Sequence, residues 1–220
     1  MESLTIAQLL ALAAALGWAS GVRLYLVVLI VGLAGYLDWA QLPEGLHVLA
    51  HPIVIAASGF MVFVEFFADK IPGLDSLWDF THTAIRIPAG AALAASVFGA
   101  DHATLATVAA IVGGSLAATA HTAKTTTRAA INTSPEPLSN IGVSLAEDGM
   151  IVGGLWLAFT HPVLFCIALV LVLAISIWLI RRCWRFLSGL VRKVVRVFSG
   201  RETTPAVQPE PVPESSETGS

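Results

Sequence analysis

The segment Pro162–Ile180 contains nineteen consecutive residues without a charged side chain. As an α-helix it would be roughly 28 Å long, which is close to the thickness of the hydrocarbon core of a bilayer. The composition agrees, because 56% of all residues are hydrophobic and only 12% are charged, whereas soluble domains have about 25% charged residues. The sequence therefore predicts an all-α polytopic membrane protein.

Six apolar segments predict about six transmembrane helices, which would form one domain over residues 1–180. Two of the segments are short, namely Ile87–Ala100 and the apolar part of the fifth, Gly149–Phe159. Each short segment follows a densely charged stretch, which indicates a weak internal repeat and, in membrane proteins, a binding site between the two halves. The six segments cover residues 4–37, 48–68, 87–100, 103–121, 141–160 and 162–180.

The first apolar segment is too long for one simple crossing. Gly17, Ser20 and Gly21 favour a break or a steep tilt within it, and Arg23 lies just beyond them. Two interpretations of this arginine stay open. It is either a side chain that snorkels to the membrane interface or an anion site near a helix break.

The distribution of Lys and Arg predicts the orientation in the membrane. If all six segments cross, eleven of the twelve Lys and Arg residues lie on one side, and the opposite loops contain none. Because positive residues accumulate on the cytoplasmic side, both termini are predicted to be cytoplasmic.

The chain after Ile180 differs from the membrane domain in composition. Residues Arg181–Arg201 contain seven cations among apolar residues at helical spacing. They predict a basic amphipathic helix in the cytoplasmic headgroup layer, where it would bind anionic lipid headgroups rather than nucleic acid. Residues 202–220 are rich in Pro and Glu and predict a disordered acidic tail.

The first charged stretch runs from Glu65 to Arg86 and contains two sets of ionisable residues at helical spacing. Glu65 and Asp69 are four residues apart. If residues 74–86 are helical, a second set shares one helix face. Charged groups next to hydrocarbon are costly unless they pair, meet water or serve a function. This second set is Asp75, Asp79, His82 and Arg86.

The second charged stretch runs from His121 to Asp148. Its three basic residues are spaced three and four apart and also share one helix face, and a turn with two prolines follows them. Ser139 or Asn140 could cap the next helix, which carries two carboxylates about two turns inside it. We expect the two stretches to be two halves of one site. The residues from this stretch are His121, Lys124, Arg128, Asn140, Glu147 and Asp148.

Three pieces of the chain resemble a bacterial membrane family known only as domain of unknown function 4126. They are GVRLY at Gly21–Tyr25, EFFADKIPGLDSLWDFTHTAIRIPAGA at Glu65–Ala91 and HTAKTTTRAAINTSPEPLSNIGVSLAED at His121–Asp148. The resemblance covers about residues 5–180. It implies a multi-pass inner-membrane protein without an established activity, and it points to the same two charged stretches.

The leading hypothesis is a small-solute or ion transporter or a channel-like protein. The charged residues of both stretches would line a polar vestibule that opens to the cytoplasm, and the mixture of carboxylates and cations suits proton coupling. The sequence leaves open whether such a protein is a homodimer. The predicted substrate-binding or proton-coupling residues are Glu65, Asp69, Asp79, His82, Arg86, His121, Lys124, Arg128, Asn140, Glu147 and Asp148.

Two alternatives belong to other classes of function. The first is a membrane-embedded enzyme that acts on a lipid phosphate through a hard cation such as Mg²⁺. The second is a non-catalytic membrane organiser that recruits partners through its basic helix and acidic tail. The sequence favours a role other than catalysis and predicts no cofactor, because it contains no P-loop, GxGxxG, GxSxG, haem or iron–sulfur pattern. The presence of a metal stays open.

Overall fold

The computed structural model describes residues 4–71, 74–99, 102–133 and 137–199, and these residues form helices and connecting turns without any β-strand. This confirms the predicted all-helical class. A short 3₁₀ helix, Glu44–Ala50, lies between the first two α-helices. The α-helices are α1 (Ile6–Tyr36), α2 (Pro52–Ala68), α3 (Leu74–Ser96), α4 (Ala103–Ile131), α5 (Pro137–Thr160) and α6 (Pro162–Ser199).

Four helices in the described part of the chain are long and apolar enough to cross a membrane, and a fifth span is present if a bent pair is counted as one. The four are α1, α4, α5 and the part of α6 up to Gly189. The bent pair consists of the 3₁₀ helix and α2, which meet at 67°. The finding agrees with a multi-pass membrane protein, and the number of six crossings stays a prediction.

The two helices predicted to be short are longer than their apolar segments. α3 has 23 residues and α5 has 24, because the charged stretch before each apolar segment is itself helical. The two charged stretches are therefore not loops. As far as the structure describes them, they form the end of α2, the first half of α3, the last turns of α4 and the first half of α5.

α1 is broken at Arg23, close to where Gly17, Ser20 and Gly21 predicted a break. Arg23 has φ −146° and ψ 86°, which is not a helical conformation. It divides α1 into a first arm, residues 6–22, and a second arm, residues 24–36. Ser20 donates its hydroxyl to the Leu16 carbonyl, as Ser and Thr commonly do inside membrane helices.

The first arm of α1 runs parallel to α4. Gly17 faces Gly113, and Gly21 faces Ala117 four residues further along both helices. A Cβ on Gly17 would lie 2.5 Å from the Cα of Gly113, and a Cβ on Gly21 would lie 2.2 Å from the Ala117 carbonyl oxygen. Glycine is therefore required at these two positions, and it allows the backbones to approach closely.

The second arm of α1 runs antiparallel to α2. Leu29 lies against Gly59, whereas Gly32, which is further along α1, lies against Ile55, which is earlier on α2. The ends of α2 and α4 meet at one end of the bundle, because Lys124 contacts the two carboxylates at the end of α2. The first arm thus runs toward this end and the second arm away from it. α1 is a helical hairpin with Arg23 at its apex.

The hairpin lies inside the bundle. In its most apolar stretch 67% of the residues are buried, against 28% or less in α4, α5 and α6. A break in a membrane helix leaves backbone groups without helical partners, and it is tolerated only where protein or water covers it. Burial of the apex among the other helices meets this condition.

The hairpin also changes the expected position of the chain ends. α6 runs parallel to the first arm, because Trp18 shares a cavity with Phe165 and Val22 shares one with Leu179. The N-terminal end of α1 and the C-terminal end of α6 therefore lie at opposite ends of the bundle. The location of both termini on the cytoplasmic side stays a prediction, which counted residues 4–37 as a single crossing.

The basic segment after Ile180 continues α6 without a break as far as Ser199. Its position in the headgroup layer stays a prediction, as does the weak internal repeat. Arg201 and the acidic tail of residues 202–220 lie outside the described residues.

Candidate functional site

Nine ionisable side chains meet where the apex of α1 reaches the ends of α2 and α4. We call them the ionic cluster, and they come from five helices or from the residue that directly follows one. All but Asp148, which is 26% exposed, are less than a tenth exposed. The two charged stretches therefore come together in one buried group. Its cations are Arg23, Arg86, Lys124 and Arg128, and its carboxylates are Glu65, Asp69, Asp79, Glu147 and Asp148.

Lys124 lies at the centre of the ionic cluster. Its Nζ atom is within 4 Å of four carboxylates from α2, α3 and α5, and the two nearest are Asp69 Oδ2 at 3.3 Å and Asp79 Oδ1 at 3.4 Å. The other two are Glu65 Oε1 at 3.9 Å and Glu147 Oε2 at 3.7 Å. Nζ also donates to the Val22 carbonyl at the end of the first arm of α1, 3.2 Å away, where a helix dipole favours a cation.

Arg86 joins α2 to α3. Its guanidinium donates from Nη2 to Glu65 and from Nη1 to Asp79 Oδ1, the latter at 2.6 Å. Asp79 and Arg86 are seven residues apart on α3 and hence on the same face, so the face predicted from the spacing is the buried one. The side chain of Asp75, predicted on this face, lies outside the described residues.

Arg128 joins α4 to the end of α2 and to α5. Its Nη1 donates to the Asp69 carbonyl at 2.9 Å, and its Nη2 donates to Glu147 Oε2 at 3.0 Å. Asn140 is fully buried nearby and donates its side-chain amide to Asn132 Oδ1 at 3.0 Å. Asn140 therefore lies inside α5 and braces the turn between α4 and α5, rather than contacting the carboxylates.

Arg23 belongs to the ionic cluster, although it was not among the predicted site residues. Its Nη2 atom lies 2.7 Å from Asp69 Oδ2 and 2.5 Å from the Ser144 hydroxyl, and its Nε atom lies 2.8 Å from Asp148 Oδ1. At 1% exposure it does not snorkel. The anions next to the helix break are the protein's own carboxylates. The sequence signal for Arg23 was an arginine directly after a glycine-rich break, whereas Ser144 had no signal.

Asp69 is held in its charged form. Burial raises the cost of ionisation, but the nearby cations Lys124, Arg23 and Arg128 outweigh it and hold the pKa of Asp69 below its usual range. Asp69 directly follows α2, so it lies beyond that helix rather than within it.

The charges of the ionic cluster do not balance. With all groups ionised, five carboxylates face four cations among the described residues, and the fifth carboxylate is the partly exposed Asp148, so the buried groups are four of each sign. Three carboxylate oxygens, Glu65 Oε2, Asp69 Oδ1 and Asp79 Oδ2, are buried and make no hydrogen bond to the described residues. The nine groups together thus carry one net negative charge, and these three oxygens are acceptors for a proton.

The two histidines of the predicted site lie at its edge. His121 is one turn before Lys124 on α4, and its Nε2 lies 2.7 Å from the Thr83 hydroxyl of α3. His82 stacks on Trp78, with ring centroids 4.1 Å apart, and its Nδ1 lies 2.9 Å from the Trp78 carbonyl. Neither histidine forms an ion pair with the described residues of the ionic cluster.

A cavity of about 260 Å³ borders the ionic cluster between α1, α4, α5 and α6. Lys124 and Glu147 are the ionisable residues on its wall, which is otherwise formed mainly by apolar side chains such as Trp18 and Val172. The other predicted residues do not line it. The expected polar vestibule with all of them on its surface is therefore not what forms, because cation and carboxylate pack directly against each other.

Residues 10–182 match the family described as a domain of unknown function, DUF4126. The chain belongs to the DUF4126 family. This confirms the resemblance drawn from the sequence, and the matched region contains every residue of the ionic cluster. No curated protein and no solved structure matches the chain.

The carboxylates of the ionic cluster are not arranged as metal ligands in this DUF4126 protein. Among the described residues, no three His, Cys, Asp or Glu side chains converge in a way that could hold a metal ion. The carboxylates converge on Lys and Arg instead. The geometry therefore adds nothing in favour of an enzyme that acts on a lipid phosphate through a hard cation.

Proposed function

We propose that this DUF4126 protein is a small transporter or channel-like protein and that the ionic cluster is its proton-coupling site. The observation that carries the proposal is the convergence of five carboxylates and four cations around a broken helix, with every one of these side chains except Asp148 buried. The ionic cluster reaches neutrality when it takes up one proton. A change in its protonation thus changes the forces that hold α1, α2, α4 and α5 together.

Lys124 is the group most suited to respond to that proton. Its ammonium is shared among four carboxylates, and it also contacts the end of the first arm of α1. Protonation of one carboxylate weakens its attraction for Lys124 and leaves the ammonium to its other partners. Broken helices at coupling sites are a recurring feature of transporters, in which the half-helix ends meet the ions.

The end of the bundle with the ionic cluster faces the cytoplasm in this proposal. Lys70 and the arginines that follow Ile180 lie at that end, whereas the loops at the opposite end contain no Lys or Arg. The basic end of α6 then lies against anionic lipid headgroups of the inner membrane. The N-terminal end of α1 lies on the outer side.

Proton flux into liposomes tests the proposal without knowledge of the solute. The full-length protein is reconstituted with a trapped pH-sensitive dye, and a potassium diffusion potential draws protons inward. We expect acidification that is faster than in empty liposomes. Glu147→Gln and Asp69→Asn should each abolish it, because an ionic cluster of four carboxylates and four cations is neutral without an added proton.

The matched control is Glu44→Gln, which neutralises an exposed carboxylate at the opposite end of the bundle. It should leave the flux unchanged. A wild-type flux equal to that of empty liposomes, or an unaltered flux in both cluster variants, would overturn the proposal and leave the ionic cluster with a purely structural role.

A further inference from the structure

One wall of the cavity beside the ionic cluster carries a buried carboxylate, that of Glu147. Glu147 reaches the cavity although it is 94% buried as a residue, and it is the carboxylate of the ionic cluster on this wall. All of its ion pairs with Arg23, Lys124 and Arg128 run through Oε2. Oε1 therefore remains as an acceptor for a group inside the cavity.

The remainder of the cavity suits an apolar body. Trp18 and Val22 of the first arm, together with side chains of α4, α5 and α6, surround it with hydrocarbon and an aromatic ring. Its rim reaches the outer surface of the bundle, because Met150 and Ile175 on the wall are 46% and 61% exposed. In a bilayer this surface meets lipid, so a ligand can enter sideways from the membrane.

The net charge of the ionic cluster favours a cationic ligand over an anionic one. The fully ionised ionic cluster carries one excess negative charge, and Lys124, the cation on the cavity wall, is already surrounded by four carboxylates. An anionic ligand would add to the excess, whereas a monovalent cation would cancel it.

We propose that the cavity between α1, α4, α5 and α6 binds an amphipathic organic monocation. The charged group lies at Glu147, and the apolar body lies against Trp18 and the side chains of α5 and α6. The inference deepens the proposed function by naming a substrate class for its coupling site. The cation and the proton then compete for the same excess negative charge.

Binding to the purified full-length protein in detergent tests the inference by titration calorimetry. The probe is benzyltrimethylammonium, and its isosteres are neutral neopentylbenzene and anionic benzenesulfonate. We expect saturable binding of the cation only, with an affinity that falls as the pH is lowered. Glu147→Gln should weaken it by about tenfold or more, since the Coulombic attraction between the carboxylate and the cation is lost.

A cavity-filling variant separates binding at this place from binding elsewhere. Ala146→Phe places a ring in the cavity and should abolish binding, whereas Ala174→Phe adds the same ring on the exposed face of α6 and should not. Equal binding of the neutral isostere would overturn the inference and identify a site for lipid chains. Unchanged binding in Ala146→Phe or Glu147→Gln would also overturn it.

The two experiments can fail separately. Cation binding without any proton flux in liposomes would overturn the proposed function and leave the binding site intact. Proton flux without cation binding would overturn the binding site and leave the coupling role of the ionic cluster intact.

Discussion

Single residues of the ionic cluster act as links between helices rather than as isolated charges. Arg23 joins α1 to α5 and to the end of α2, and Arg86 joins α2 to α3. A buried ion pair contributes little net stability against an apolar substitute, but the loss of one partner leaves an unpaired charge and costs about 3–5 kcal/mol. Each link therefore specifies which helices pack together more than it stabilises the bundle.

The lowered pKa of Asp69 predicts that the stability of the protein depends on pH. Its folded-state pKa is lower than the ordinary value of about 3.9 that holds in the unfolded chain. Its contribution to stability is thus complete above that ordinary value, and it is lost as the pH falls through the folded-state pKa. At neutral pH we expect Asp69→Asn to lower the free energy of unfolding by about 3–5 kcal/mol, the cost of leaving the buried cations without this partner.

Thermal melting in detergent at a series of pH values provides the measurement. The difference in Tm between the wild type and Asp69→Asn should be full at neutral pH and should shrink below about pH 4. Glu44→Gln should show no such trend, because that carboxylate is exposed. A difference that stays constant down to acid pH would show that the charge of Asp69 is not what stabilises the protein.

At the scale of helices, the packing of the hairpin depends on glycine. Gly113 of α4 contacts both Gly17 of α1 and α3, where a Cβ on Gly113 would lie 2.4 Å from the Cβ of Ala94. The three helices can therefore approach only while this position has no side chain. Val22 lies just over one turn after Gly17 on α1, and Lys124 lies three turns after Gly113 on α4. The close contact of the helices thus brings Val22 and Lys124 within hydrogen-bond distance.

Gly113→Leu is expected to separate the first arm of α1 from α3 and α4. The added side chain overpacks the contact, and such changes cost about 1–3 kcal/mol or more. The Tm in detergent should fall, and proton flux should be lost in molecules that remain folded, because Lys124 loses its position at the apex.

Gly149→Leu is the matched control, because nothing lies within 4 Å of a Cβ at Gly149 in the described structure. It should melt close to the wild type. Equal melting of Gly113→Leu and the wild type would contradict the close packing of the three helices.

At the scale of the whole molecule, the hairpin places the N-terminal end of α1 and the C-terminal end of α6 at opposite ends of the bundle. This follows from the directions of the two arms relative to α4 and α2 and does not depend on how many helices cross completely. It also places the ionic cluster at the same end as the basic part of α6.

Cysteine accessibility tests this topology. With Cys166 and Cys183 replaced by Ser, single cysteines are introduced as Leu4→Cys, Gln41→Cys and Arg182→Cys, and whole cells are treated with a membrane-impermeant maleimide. Leu4→Cys and Gln41→Cys should react from outside, whereas Arg182→Cys should react only after the membrane is opened. Labelling of Leu4→Cys and Arg182→Cys from the same side would contradict the hairpin.

Much of the ionic cluster could be predicted because its members repeat at helical spacing. Spacing alone predicts a buried or paired helix face for two sets of residues. The first set is Glu65 and Asp69, and the second is His121, Lys124 and Arg128. Neither spacing nor composition indicates which cation meets which carboxylate. That depends on pairs such as Lys124 with Asp69 or Arg23 with Ser144, which are far apart in the chain.

The sequence by itself determined the all-helical membrane class and the two charged stretches, because these follow from local hydrophobicity and periodicity. The tertiary structure alone decided that α1 turns back at Arg23, that the charges pack together instead of lining a vestibule, and that the N-terminal end of α1 and the C-terminal end of α6 lie at opposite ends of the bundle. A break in a helix is a local property, but its angle is set by the helices that receive each arm. Here those are α4 and α2, which only the folded bundle brings to the same apex.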